Sequence, residues 1–255
     1  MKSIIPIAAL CAGSLFVTSC AHNYGTIPTT LEGFEAFDSP RDFDPPGRVF
    51  RVGPDGVQGV GTLDIVPKTG NEYTKKYGST VNWSLDVILK STGVAAEKLP
   101  AAAQADLSRT HAVSLGSTKA VREYIDDSDQ PTKKAEDLVA RVGYRKNNKY
   151  YVIRETVATS SLDFSSDRKW LADLNLEAVF SQSLSLSNQF KYENDKTFSL
   201  VATFDKPMRV WYKVERLVPE NGLGVGPNAV PSFTNATVLP GEFRIQSNTP
   251  IVDKP

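Results

Sequence analysis

Sulfur and imidazole are scarce in this chain of 255 residues, which holds two cysteines and two histidines. Both cysteines, Cys11 and Cys20, lie at the N-terminus. The body of the chain therefore has no thiol nucleophile, no soft zinc ligand and no intramolecular disulfide. His22 sits beside Cys20, so a Ser-His-Asp site would have to be built on His111, and no G-x-S-x-G elbow accompanies it. Net charge is absent too: 29 Lys plus Arg balance 29 Asp plus Glu, leaving no excess of positive charge to release counterions from nucleic acid. No segment beyond the N-terminus reaches the roughly 18 uninterrupted apolar residues of a membrane-spanning helix. No period of about 20–50 residues repeats, which excludes a solenoid or propeller. What is present, 40% hydrophobic and 23% charged residues, belongs to a folded protein with a real core.

The N-terminus carries the most specific pattern. Lys2 precedes an apolar run over residues 4–17, the length of a secretory h-region and too short for a membrane span. Leu15-Phe16-Val17-Thr18-Ser19-Cys20 then resembles the lipobox of bacterial lipoproteins. That resemblance implies cleavage after Ser19, acylation (palmitate among the chains) on Cys20, and attachment to the cell envelope. Ala21 in place of aspartate implies the outer membrane. Acyl chains stabilise anchoring by about 0.8 kcal/mol per buried methylene, so two or more hold a protein on a bilayer. The expected organisation is a signal peptide over 1–19, a lipid anchor and proline-containing tether over 20–46, one domain over 47–218, and a Gly/Pro/Asn-rich tail over 219–255. Within the tether, Phe34, Phe37 and Phe43 predict that part of it packs along the domain.

Period-two alternation dominates the domain. Arg48 to Val52, the turn Pro54-Asp55-Gly56 and a strand toward Val66 predict a hairpin. Val81, Trp83, Leu85, Val87 and Leu89 predict a strand, as do Ala112 to Leu115 and Tyr150 to Val157. Leu174, Leu176, Ala178 and Phe180 predict another, continued by Leu184, Leu186 and Phe190. Phe198, Leu200, Ala202 and Phe204, a turn at Asp205-Lys206-Pro207, and Val210, Tyr212 and Val214 complete the set, with a late strand pair around Pro240-Gly241. Helices are expected from Pro100, over 119–125, and from Pro131 to a stop at Gly143. The predicted fold class is α+β: a mostly antiparallel sheet with a two-helix insertion in the middle.

Other clusters carry little chemistry. Asp126, Asp127 and Asp129 lack the glycine turn and distal glutamate of a calcium loop and suit a solvated turn. Gly222, Gly224 and Gly226 precede no helix pattern, so they are no phosphate loop. Arg141, Arg145, Lys146 and Lys149 fit the C-terminal end of a helix and its dipole. No metal, cofactor or catalytic residue is assigned, and Cys20 is the one modification site.

The order of elements from about residue 80 to 218, ending in KYYVIRETVATSSL and KTFSLVATFDKPMRVWYKVERL, is similar to that of the pore-forming domain of gasdermins. The stretches Tyr151-Val152-Ile153 and Val210 to Leu217 occupy comparable places. The resemblance implies amphipathic hairpins that unfurl into a membrane barrel. Export, lipidation and the absence of a strongly basic surface or a long inhibitory domain depart from it. Three functions follow as expectations. The first is a non-enzymatic, lipid-anchored envelope module that binds or organises a protein or polymer partner. The second is a gasdermin-like pore former, and the third a hydrolase using His111.

Overall fold

The computed structural model describes residues 31–219, apart from 32, 74–76, 118, 127, 129, 184–188 and 193–194, together with 232–238 and 243. Two long strands form its centre: β8 (Lys149–Asp167) and β10 (Thr197–Pro219), antiparallel from Asp167↔Thr197 to Tyr150↔Leu217. Shorter strands line the outer edge of each, end to end. Along β8 run β6 (Thr110–Ser117), β7 (Ala120–Tyr124) and β2 (Arg48–Gly53). Along β10 run β9 (Gln189–Tyr192), β1 (Glu35–Arg41) and β11 (Phe233–Thr237). A third rank adds β3 (Gly56–Thr62) to β2, β4 (Lys68–Tyr73) to β7, and β5 (Tyr77–Ser84) to β6. Every pairing is antiparallel.

Sequence explains the centre. Residues 150–157 are aromatic and β-branched, and the chain from Tyr150 to Val157 is buried without alternation because both faces of the sheet are covered there. On one face α3 (Pro131–Val142) packs Ala135, Leu138 and Val139 over Val49, Tyr150 and Val152. On the other, Phe37, Phe50, Tyr151, Tyr212 and Phe243 cluster, with the Tyr151 and Phe243 rings stacked at 4.4 Å.

The expected two-helix insertion is not there. Residues 119–125 contribute β7, whose Ala120 to Tyr124 pair with Thr159 to Glu155 of β8 on one side and with β4 on the other. Two ladders outweigh the local helical spacing of Val121, Tyr124 and Ile125. Among the described residues α3 is the one α-helix of that stretch, and the fold is sheet-dominated with its other helices elsewhere. These are α1 (Leu85–Thr92) and α2 (Ala101–Ala105) between β5 and β6, and α4 (Arg168–Asp173) and α5 (Glu177–Ser183) between β8 and β9. The expected turn at Asp205-Lys206-Pro207 is instead an irregularity inside β10, where the register against β8 jumps between Thr203↔Ser161 and Met208↔Thr159.

Candidate functional site

Both helical inserts leave the sheet at the same end. Residues 85–109 join β5 to β6, and residues 168–196 join β8 to β10. Ser84 pairs with Thr110, Ser114 with Ser165, and Asp167 with Thr197, so β5, β6, β8 and β10 are neighbours whose ends meet there. The inserts fold back on one face of these four strands. Leu85, Ile88 and Leu89 of α1, Leu171 of α4 and Phe180 of α5 join Trp83, Val113, Leu115, Leu162, Phe164, Phe198 and Leu200 in the largest core cluster.

Here the structure overturns two strand expectations. The alternation Val81, Trp83, Leu85, Val87, Leu89 is strand only to Ser84, after which α1 begins. Ser84 caps that helix, its Oγ accepting from the Val87 N–H at 3.3 Å. Gly93, at φ 72°, closes it with its N–H on the Leu89 and Lys90 carbonyls. The alternation over 174–186 falls largely on α5, and its later part, 184–188, lies outside the described residues. Asp167 caps α4 by accepting from the Lys169 N–H at 2.8 Å. Caps contribute about 1 kcal/mol each, enough to tip short segments whose periodicity suits either conformation.

One clasp joins the inserts. His111, at the start of β6, stacks on Trp170 of α4 with ring centroids 4.7 Å apart, and its Nε2 lies 3.0 Å from Asp106 Oδ2. The Trp170 indole N–H donates to Ser166 Oγ at 2.9 Å, and that hydroxyl donates to the Ala112 carbonyl at 2.6 Å. Next to it, the Arg168 guanidinium lies 4.0 Å from the centroid of the Tyr192 ring. Desolvation, and then the Glu177 carboxylate, hold the Tyr192 phenol above its usual range. His111 thus has a carboxylate and an aromatic partner but no neighbouring serine in a triad arrangement among the contacts described.

The remaining sequence candidates do not converge on this site. Asp126 pairs with Lys68 and accepts the Ser128 N–H at 3.0 Å, while Asp127 and Asp129 lie outside the described residues. Arg141 Nε reaches the Asp137 carbonyl and Arg145 lies 3.9 Å from Asp55, at the far end of α3. Cys20, His22, Gly222, Gly224 and Gly226 lie outside the described residues. Among the described residues no trio of His, Cys, Asp or Glu is placed to hold a metal ion, and no helix is long and apolar enough to cross a membrane. Sequence reasoning missed the clasp because its members are separated in the chain. It missed the inserts because strand-period residues are folded as helix.

No protein-family model and no curated protein sequence matches the chain. Among solved structures, it is similar to a bacterial gasdermin from Bradyrhizobium tropiciagri, at 11% identity and a TM-score of 0.42, over 80% of this chain and 86% of that one.

Proposed function

We propose that this protein is a membrane pore former whose two inserts convert to β-hairpins and enter the bilayer, while acylated Cys20 holds the protein at the envelope membrane. The observation that carries the reading is the register of the four strands. In β5 and β6 odd positions pair with odd, as in Val81↔Val113 and Trp83↔His111. In β8 and β10 even positions pair with even, as in Phe164↔Leu200, and Leu115↔Phe164 joins the two sets on one face.

Continuing these registers past the observed strand ends would set Val87 opposite Leu107 and Leu89 opposite Ala105, all at odd positions. It would set Ala172 opposite Tyr192 and Leu174 opposite Phe190, all at even positions. The apolar residues of both hairpins would then share the face already formed by Val113, Leu115, Phe164 and Leu200. Polar residues, among them Asp86, Lys90, Gln104, Asp173, Ser181 and Lys191, would take the other. The continued registers turn near Glu97, where a 3-10 turn (Ala96–Lys98) exists already, and near Gln182. Each arm would be about a dozen residues, against the roughly 9–11 that a tilted transmembrane strand needs. Trp170 and Tyr192 would sit near the hairpin base, where aromatic residues anchor a barrel at the interface.

The apolar residues that break this alternation support the same reading. Ile88, Val94 and Leu171 would lie on the polar face of the hairpins, and in the helical state they are buried at 1%, 4% and 1% exposure. The inserts thus carry two overlapping apolar patterns, one for helices packed on the sheet and one for strands in lipid, as expected of a segment with two packings. The test is dye release from vesicles of phosphatidylethanolamine and phosphatidylglycerol by the mature acylated protein, with strand content followed by infrared spectroscopy. Release accompanied by a gain in strand supports the reading. Sealed vesicles under all conditions that retain the protein on the lipid contradict it and return the chain to the class of envelope binding modules.

A further inference from the structure

Resting on the reading of residues 85–109 as a membrane hairpin, we propose that β1 is a detachable strap that keeps α1 closed on the sheet, so that its departure from β10 releases the first insert. β1 belongs to the N-terminal arm, upstream of the hairpin β2–β3, and its ladder to the sheet is short and irregular. Three residue pairs join it to β10, Glu35↔Tyr212, Ala36↔Trp211 and Arg41↔Arg209, and the register shifts between the second and the third. Pro40 lies inside it, a residue confined to edge strands because it lacks the N–H of a ladder.

Its contacts fall where α1 departs from β5. The Trp83 indole N–H donates to the Phe37 carbonyl at 3.0 Å, one residue before the Ser84 cap of α1. Phe37 is fully buried, 4.5 Å from the Tyr212 ring centroid, and Phe34 and Ala36 pack against the cluster that holds Leu85, Ile88 and Leu89. Closure is otherwise loose, because a cleft lined by Ser39 and Pro40 of β1, Val87 and Ser91 of α1, and Phe204 and Met208 of β10 runs between strap and helix.

The strap's buried charge is neutralised mainly within the arm itself. Arg41, 2% exposed, pairs with Asp38 and with Asp44 at 2.9 Å, and its guanidinium lies 4.4 Å from the Phe37 ring centroid. Lifting the strap would carry Arg41 away with Asp38 and Asp44, at the cost of the 3.4 Å contact of Asp44 with Arg48 of β2, and would avoid the penalty of leaving the Arg41 charge buried alone on the sheet. Its ties to β10 include the exposed contacts of Lys206 with Asp42 and of Arg209 with the Asp42 carbonyl, and the Tyr212 hydroxyl, which donates to Glu35 Oε2 at 3.4 Å. An edge element joined by a short, irregular ladder opens at a lower free energy than the central strands.

The test is hydrogen exchange on the full mature chain, read separately over residues 85–92 and over β8, alongside dye release. Phe37→Asp should speed exchange over 85–92 about tenfold or more while β8 stays protected, because a carboxylate cannot be kept in that apolar seat. Trp83→Phe keeps an aromatic ring but removes the donor to Phe37 and part of the buried volume, so it should speed exchange over 85–92 by about fivefold with the β1 amides rising in step, and it decides the matter if Phe37→Asp does not fold. Unchanged exchange over 85–92 in Trp83→Phe, or equal loss of protection in 85–92 and β8, overturns the strap. Faster exchange over 85–92 with vesicles that stay sealed upholds the strap and overturns the pore reading, so the two fail separately.

Discussion

His111 of β6 stacks on Trp170 of α4, ring centroids 4.7 Å apart and planes 24° from parallel, and so ties the second helical insert to the root of the first. The same imidazole contacts Asp106 at 3.0 Å, just beyond α2. One residue therefore touches both segments that the account requires to move.

His111→Ala should lower stability by about 1 kcal/mol through the lost stack and hydrogen bond, or about 2–4 °C in Tm for a domain of this size. Dye release should become faster rather than disappear, since the clasp restrains the closed state and supplies no chemistry. A folded variant in which release is abolished would bring the hydrolase reading forward. Calorimetry and a fluorescence leakage assay provide both readouts.

Ile88 is buried in the helical state, and the continued register would place it on the polar face of the hairpin. Ile88→Thr should therefore destabilise the closed form by about 1–3 kcal/mol and shorten the lag before leakage. Loss of stability with slower leakage would mean that the helical packing of α1 is needed for insertion and is not a restraint on it.

What could be read from the chain, and what could not, follows the number of patterns each segment carries. Tyr150 to Val157 has one, a continuous β-branched and aromatic run, and it is the middle of the sheet. Pro131 to Val142 has one, a helical stripe starting with proline and ending at Gly143, and it is α3. Leu85, Val87 and Leu89 satisfy a strand while Leu85, Ile88 and Leu89 satisfy a helix, so periodicity alone could not choose, and the caps at Ser84 and Gly93 did. Residues 119–125 were lost to tertiary context, because their partners Glu155 to Thr159 and Lys68 to Tyr73 are distant in the chain. The clasp at His111 was invisible for the same reason, and the chemistry at Cys20 lies outside the described residues.

Cys20 should be needed for membrane retention. In the closed state, before any hairpin enters the bilayer, Cys20→Ser should shift the protein from the membrane pellet to the soluble fraction and remove acyl label, because the acyl chains are what would hold that state on the membrane. Retention in the pellet without label, by protein that releases no dye, would contradict the anchor.

The strap should loosen in acid. The hydrogen bond and charge of Lys206 hold the exposed Asp42 carboxyl below the usual carboxylate range. A depressed folded-state pKa contributes stability above the unfolded value, and that contribution is lost as the pH falls through the folded one. Exchange at the amides of β1 should therefore rise on acidification in the wild type, and the rise should be smaller in Asp42→Asn, which lacks the contact at every pH. Identical pH profiles for the two proteins would remove Asp42 from the strap's attachment.

The most direct test of the pore account uses two alanines of α2, Ala102 and Ala105, both exposed in the closed state. Continuing the β5–β6 register puts Ala105 opposite Leu89 on the apolar face and Ala102 on the polar face. Arginine at either position is accommodated on the solvent side of a helix, whereas on the lipid face of a barrel it costs about 2–4 kcal/mol near the midplane. The measurement is dye release by Ala105→Arg and Ala102→Arg at matched stability and matched binding to vesicles. The account predicts that Ala105→Arg loses release by about tenfold or more while Ala102→Arg keeps it. Equal release by the two variants would contradict it.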